Sequence, residues 1–352
     1  MRAPTTSRGK RTDTLWSAYK LRWNRIAFLV RSWRKGFQLT ALKNRTASIQ
    51  PADILCFACV RNEAARLPYW LGHYRGLGVA HFLIVVNDST DGTADFLAKQ
   101  PDVSVWRTNE SYRKSRFGMD WLGALQTKYA HGHWCVTVDA DELLIYPQHD
   151  TRDLQALTGW LDRKGRRSFG VTMVDLYPRG RLGETPYHAG DNPMQILEWY
   201  DAYPYWVQLQ PKYWNLWLRG GPRARMFFDG EPDRAPTLNK VPLVRWSRKF
   251  TYVSSTHTML PRYLNQTYDM GGEIKATGIL LHTKFLDEII AKSAEEQERG
   301  EHFGDPEKFA AYYNALVADP VIWTESSRKY SDWRDLVADG LMEQGDWFVH
   351  GE

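Results

Sequence analysis

The chain has 352 residues, with 46 Lys and Arg against 41 Asp and Glu for a formal charge of +5, and 43% hydrophobic residues. It is too apolar and too weakly charged for a disordered protein, its Gly and Pro show no collagen-like period, and three cysteines cannot build a disulfide framework. No run approaches about 18 consecutive apolar residues and the N-terminus lacks the apolar core of a secretory signal, so the expectation is a cytoplasmic chain with one large folded domain and appendages.

The charge is uneven: residues 1–48 hold 12 basic residues and one acid, Asp13, which leaves the rest at −6. Within that segment Trp16, Tyr19, Trp23, Ile26, Val30, Trp33 and Phe37 recur at spacings of three and four, which makes one aromatic stripe on a helix about 33 Å long. Arg22, Arg25, Arg31, Arg34 and Lys35 lie around it. Two partners suit such a face across residues 15–37: an anionic membrane surface, or the chain's own catalytic domain or a second subunit. A nucleic-acid partner is not expected, because a phosphate-binding stripe does not need seven large apolar residues in register.

From residue 52 strands and helices alternate. ILCFACV at 54–60 reads as a buried strand, 64–77 as a helix and HFLIVV at 81–86 as a second strand. A helix is expected to open near Thr93 after the Gly92 turn, followed by a strand VSVWRT at 103–108, a helix over 116–130 and a strand HWCVTV at 133–138. That order predicts an α/β fold with an open, Rossmann-like, mainly parallel sheet and helices on both faces. Cys56 and Cys59 read C-x-x-C, but an odd separation on a strand puts them on opposite faces, as buried apolar residues rather than a redox pair or zinc site.

Ligands of such sheets bind beyond the carboxyl ends of the strands. There the first strand leads into Arg61, Asn62 and Glu63, the second into Asn87, Asp88 and Asp91, and the fourth into Asp139, Asp141 and Glu142. Acids gathered at one edge repel unless a cation lies between them, and Asp139 and Asp141, two apart on an extended segment, project to the same side. The spacing predicts a site for Mg²⁺ or Mn²⁺, hard cations that take oxygen ligands.

VRNE at 60–63, VVNDSTDGT at 85–93 and VDADE at 138–142 resemble the nucleotide-sugar domain of glycosyltransferase family 2, which has the GT-A fold. LPYWLGHYRGLGV at 67–79, RFGMDWLGAL at 116–125 and the late LLH-x-KF at 280–285 are similar to a bacterial branch of that family. The resemblance spans roughly 52–300. It implies that Asp88 and the Arg61, Asn62, Glu63 loop line the nucleotide pocket, and that Asp139 lies nearest the ribose and metal. It further implies that Asp141 and His282 reach the metal, while Asp120 and Arg116 are placed to contribute to donor binding. Lys114, Arg223, Arg225 and Lys240 are further candidate cations for the diphosphate.

The resemblance implies an inverting enzyme with a carboxylate base after the fifth strand, but SFGVTMVDLYP at 168–178 is followed by no acidic pair. Asp191, Glu231 and Asp233 are the leading candidates, with Glu198 and Asp229 behind them. Eight aromatics from Trp199 to Trp217 suit either an acceptor platform or a packed insertion, with packing favoured, and His257 is expected to be a buried, hydrogen-bonded histidine rather than a metal ligand. Residues 285–300 and 306–318 read as helices.

The expected layout is a basic N-terminal segment (1–50), a GT-A domain (51–285) and a C-terminal helical region packed on it (286–352). The expected activity is metal-dependent transfer from a nucleotide-diphosphate sugar, UDP-sugar favoured, to a glycan or lipid-linked acceptor in surface-polysaccharide synthesis at the inner face of a membrane. The alternatives are a non-catalytic sugar-nucleotide or glycan-binding relative, and a D-x-D phosphohydrolase, in which the motif would normally open the fold.

Overall fold

The computed structural model describes residues 15–269, 275–299 and 306–347. It opens with helix α1 (Leu15–Gly36) and strand β1 (Thr40–Lys43). The expected alternation follows: β2 (Leu55–Val60), α2 (Leu67–Gly76), β3 (His81–Asn87), α3 (Thr93–Lys99), β4 (Val103–Thr108), α4 (Met119–Tyr129) and β5 (Trp134–Thr137). After a turn come β6 (Glu142–Ile145), α5 (Leu154–Arg163) and β7 (Ser168–Asp175). The middle region adds β8 (Trp199–Tyr200), a hairpin of β9 (Tyr205–Gln210) and β10 (Asn215–Gly220), α6 (Gly221–Phe227) and β11 (Asn239–Arg245). A hairpin of β12 (Thr251–Ser254) and β13 (Thr258–Leu260), then β14 (Gly278–His282), α7 (Glu288–Arg299), α8 (Pro306–Val317), β15 (Arg328–Lys329) and α9 (Trp333–Ala338) complete the described elements.

Nine strands form one mixed sheet in the order β1-β4-β3-β2-β5-β11-β7-β14-β6. Strands β4, β3, β2 and β5 pair in parallel, as do β7 and β14, while β1, β11 and β6 run against their neighbours. Six of the nine strands therefore point the same way, which gives the α/β, Rossmann-like architecture with one shared carboxyl edge.

Alternate residues of each central strand enter opposite cores, as period-two geometry requires of a strand buried on both faces. Cys56, Ala58, Phe82 and Ile84 join one cluster with α2 and α5, through Trp70, Leu71, Leu157 and Trp160. Leu55, Phe57, Leu83 and Val85 join the other, with Trp121, Leu122 and Leu125 of α4. Cys56 belongs to the first cluster and Cys59 packs against the second, so the two thiols are separated by the sheet. Tyr312, Leu316, Trp333 and Leu336 extend the first cluster, so the C-terminal helices α8 and α9 share its core. Of the middle aromatics Tyr200 is buried, Tyr203 is exposed, and Trp214 stacks under the Arg262 guanidinium at 3.9 Å.

Helix α1 forms as its period suggests but turns the aromatic stripe outward. Tyr19, Trp23, Ile26, Val30, Trp33 and Phe37 are all exposed, Trp33 at 63% and Phe37 at 76%, whereas Leu21 and Ser32 on the opposite side are buried. The side chain of Trp16 lies outside the described residues. The docked side approaches α4 through small residues: a Cβ on Gly123 would lie 2.7 Å from Ser32 Oγ, and one on Gly36 would lie 2.9 Å from Ala124 Cβ. Of the partners left open for the stripe, the chain's own catalytic domain is met by the opposite side of α1 among the described residues. The large residues are left over because close helix packing selects small ones. No helix among the described residues is long and apolar enough to cross a membrane.

Candidate functional site

The carboxyl edge gathers chemistry from five strands. The register between β14 and β7 sets His282 beside Asp175, and that between β14 and β6 sets His282 beside Glu142. Strand β11 runs the other way, so its first residues, Asn239 and Lys240, also reach this edge. Between β5 and β6 the segment Val138–Asp141 is a turn, not the extended chain expected from the sequence. The turn brings Asp139, Asp141 and Glu142 together, with carboxylate oxygens within 4.8 Å of one another.

The turn is clamped from three sides. Trp70 Nε1 donates to Asp139 O at 3.1 Å, Tyr74 Oη donates to Glu142 O at 3.0 Å, and Thr283 N donates to Asp141 O at 2.7 Å. The acids then divide by partner. Lys240 Nζ closes on buried Glu142 and lies 3.2 Å from Asp139 Oδ2. Burial disfavours the Lys240 ammonium, but Glu142 and Asp139 outweigh it and raise its pKa. Asp175 is buried between Arg223 Nε at 2.8 Å and His282 Nδ1 at 2.5 Å, and although burial opposes its ionisation these partners hold its pKa down at about 2.

With Nδ1 held by Asp175, the His282 ring turns Nε2 to Asp141 Oδ2 at 3.1 Å. Burial works against the Asp141 carboxylate, yet His282, Arg66 and Lys284 together bring its pKa well below the usual carboxylate range. Asp139 is 44% exposed and Asp141 26%, so both face outward while Glu142 backs the turn. Two carboxylates on a fixed turn and an imidazole nitrogen from β14 fit a divalent cation of the Mg²⁺ or Mn²⁺ class, and an orienting carboxylate behind the histidine is what such a ligand set needs.

The other expected residues separate into near and far. Asp88 is exposed just past β3 and has a left-handed backbone, φ 49°. Asn62, also left-handed, accepts from Thr90 N at 2.9 Å and so ties the first strand's loop to the second's. Arg61 and Glu63 are engaged by α7 instead: Arg61 pairs with Glu295 at 2.5 Å and Glu63 with Lys292 at 2.9 Å. Glu295 and Lys292 thus tie α7 to the loop after β2.

Asp120 and Arg116 are taken up by contacts within the chain. Asp120 is fully buried and takes Arg31 Nε at 2.6 Å and Arg116 Nε at 2.8 Å, which ties α1 to the start of α4. Arg116 also donates to Tyr252 O and stacks 4.3 Å over Phe28. A first-turn acid beside the edge reads as a ligand group only while the position of α1 is unknown. Arg225 likewise pairs with Asp201, and Lys114 offers its carbonyl to Arg31, so Arg223 and Lys240 are the two candidate cations that join the acid cluster.

None of the expected base candidates contacts that cluster. Asp191 accepts from His188 N on a half-exposed loop, Glu231 pairs with Arg234, and Asp233 lies with them on the exposed turn after α6. His257 is a structural residue, as expected: its Nδ1 meets Asn239 O at 2.7 Å and burial lowers its pKa to about 3.

Asp175, Arg66 and Lys284 lie around the same acid cluster and are not nominated as site residues from the sequence. Arg66 donates to Thr283 O at 2.9 Å and pairs with Glu288 at 3.2 Å. Lys284 makes no hydrogen bond or ion pair among the described residues and lies 6.0 Å from the Tyr312 ring centroid. Burial lowers its pKa, and Arg223 and Arg66 add to that against the pull of Asp141 and Asp175. Two sequence signals were available: Asp175 ends an apolar strand run, and Lys284 follows His282 at the spacing that keeps both on one side of an extended chain.

No protein-family model matches this sequence, and no curated protein matches it. Solved structures align only loosely. They include a 4-diphosphocytidyl-2C-methyl-D-erythritol synthase at 17% identity, covering 39% of this chain and 67% of that one with a TM-score of 0.24. A putative glucose-1-phosphate thymidylyltransferase from Bacillus anthracis aligns at 7% identity, over 76% and 84% of the two chains, with a TM-score of 0.27. HddC from Yersinia pseudotuberculosis aligns at 9% identity, over 70% and 99%, with a TM-score of 0.28. At these values the fold rests on the strand order and the site on its own geometry.

Proposed function

We propose that this chain is a metal-dependent glycosyltransferase of the family 2, GT-A type. It would move a sugar from a nucleotide-diphosphate sugar, UDP-sugar favoured, to a glycan or lipid-linked acceptor at the cytoplasmic face of a bacterial membrane. The observation that carries this reading is the outward-facing pair Asp139 and Asp141 beside His282 Nε2, at the carboxyl edge where open sheets bind nucleotides.

In this reading Asp139, Asp141 and His282 hold Mn²⁺ or Mg²⁺, which when bound neutralises charge on a departing diphosphate. Asp175 fixes the histidine ring, and the Trp70, Tyr74 and Thr283 hydrogen bonds keep the turn in place, so little reorganisation is left for the reaction. Lys284, with no ion-pair partner among the described residues, offers a second positive group for the same phosphates. Asp88 and Asn62 take the nucleoside end, because they lie on the loops after the two neighbouring strands β3 and β2.

A thermal-shift screen against UDP, GDP, CMP and dTDP, each with and without Mn²⁺, tests the reading. Ligand at about 100 times its dissociation constant stabilises by about 2.7 kcal/mol. One nucleoside diphosphate should stabilise the protein only with Mn²⁺, and Asp141→Asn should lose both that response and sugar transfer. Transfer by Asp141→Asn at the rate of the unaltered protein would overturn the assignment.

A further inference from the structure

We infer that the exposed face of α1 is a docking surface for an anionic lipid bilayer. Six large apolar side chains, Tyr19, Trp23, Ile26, Val30, Trp33 and Phe37, stand outward along about 27 Å of helix. Tyr19 with Trp23 and Trp33 with Phe37 make edge-to-face pairs at 6.1 Å and 5.2 Å, so the face is a continuous aromatic ridge. At about 100° per residue, Arg22 and Arg34 fall about 60° to either side of the ridge's centre, at the level where lipid phosphates would lie. Among the described residues the side of α1 that meets the domain is the opposite one, where Leu21 and Ser32 are buried.

Charge decides among the possible occupants. Helix α1 contains Lys20, Arg22, Arg25, Arg31, Arg34 and Lys35 and no acid. A second copy laid ridge to ridge would bring two such sets together with nothing to neutralise them. Residues 1–14 carry Met1, Ala3 and Pro4 as their apolar groups beside four more basic residues, a composition that suits an acidic surface better than an apolar ridge. Nucleic acid would match the charge but leave the aromatic ridge unsatisfied. An anionic bilayer satisfies both: aromatic rings settle at the headgroup boundary, and each basic residue close to the surface strengthens binding roughly fivefold.

The helix direction gives the docking a consequence. Phe28 and Ser32 meet Arg116 and Asp120 in that order, so α1 runs parallel to α4. Helix α4 starts at the carboxyl edge, and the part of α1 before Phe28 extends past that start, beside Leu260, Pro261 and Arg262. A bilayer against the ridge would bring the candidate site's edge toward lipid-linked groups. That consequence rests on the transfer reading, whereas the docking itself does not.

The test is co-sedimentation of the full chain with vesicles of phosphatidylcholine alone, or with phosphatidylglycerol as a third of the lipid, alongside Trp23→Ser/Trp33→Ser/Phe37→Ser and Arg22→Glu/Arg34→Glu. The unaltered protein should bind the anionic vesicles and lose binding as salt is raised. Each variant should bind at least tenfold more weakly while keeping its melting temperature, since the altered side chains are exposed. Binding of the triple variant equal to that of the unaltered protein would overturn the inference. So would the absence of binding to either vesicle, or a solution dimer that the triple substitution dissociates without any vesicle effect. Failure of the donor screen with vesicle binding intact would remove the transfer reading alone.

Discussion

Asp120→Asn separates an anchoring role for this acid from a nucleotide-binding one. Asp120 is fully buried against Arg116, which is 15% exposed, and against Arg31, which is 45% exposed. Two unit charges about 4 Å apart at an effective dielectric near 20 attract by about 4 kcal/mol, but burial offsets much of that. The Arg31 pair is screened by water and contributes about 1 kcal/mol at most. Breaking the buried side costs about 3–5 kcal/mol by leaving the Arg116 charge without its partner, and asparagine recovers part of that through its remaining carbonyl oxygen. The expected loss is about 3 kcal/mol, a large share of the 5–15 kcal/mol of a typical fold. Urea denaturation of Asp120→Asn and Arg31→Met, singly and together, measures it and should reveal coupling between the two sites. Calorimetric titration with nucleoside diphosphate and Mn²⁺ should give the same affinity for Asp120→Asn as for the unaltered protein. Stability within about 0.5 kcal/mol of the unaltered protein together with lost nucleotide binding would refute this assignment.

Lys284→Met should weaken nucleoside diphosphate binding by about 10- to 100-fold, the worth of one hydrogen bond to a charged group, while leaving nucleoside binding unchanged. Equal losses for both ligands would mean that Lys284 shapes the pocket rather than meets phosphate. Acidification should destabilise the fold through His73 and His257, whose pKa values burial lowers to about 4 and about 3. Their folded values lie below the unfolded value of about 6.5, so their contribution is present above pH 6.5 and falls toward pH 4, by up to about 1.4 kcal/mol per pH unit each. His282 does not cancel this: its pKa is raised because Asp141 and Asp175 overcome the effect of burial, so its contribution is already complete below pH 6.5. Urea midpoints at pH 6.5, 5.5 and 4.5 check the trend, and His257→Asn should reduce the slope; an unchanged slope in that variant would exclude His257 as a source.

How much could be read from the sequence depended on how local each determinant is. Strands β2 to β5 were legible because a strand buried on both faces is a continuous apolar run between turns. Strand β1, TALK, is short and exposed on all four residues, so it carried no such mark. The place of β11, antiparallel between β5 and β7, depends on pairing with residues 67 to 111 positions away and leaves no local trace. On α1 the period identified the ridge but not its direction, because the docking face is defined by Ser32 and Gly36 meeting Gly123 and Ala124, small residues that periodicity does not weigh.

The candidate site shows the same division at the level of charge. An acid at the carboxyl edge looks functional until its cation is found, and here the cations come from far along the chain: Lys240 to Glu142, Arg223 to Asp175, Arg31 to Asp120. Each pairing buries its acid and converts it into a support. Asp88, Asp139 and Asp141 keep an outward aspect at the edge, with Lys240 shared between Asp139 and Glu142 and the His282 ring closing on Asp141, while the exposed Asp91 is taken up by Ala64 N and Thr93. Burying a carboxylate without a partner is costly, so the acids exposed at such an edge are the ones placed to meet an external cation or a ligand hydroxyl. The sequence nominates Asp120 and Glu142 alike with Asp88, Asp139 and Asp141, and passes over Asp175. Only the fold, by supplying partners to some, separates them from those that stay candidates.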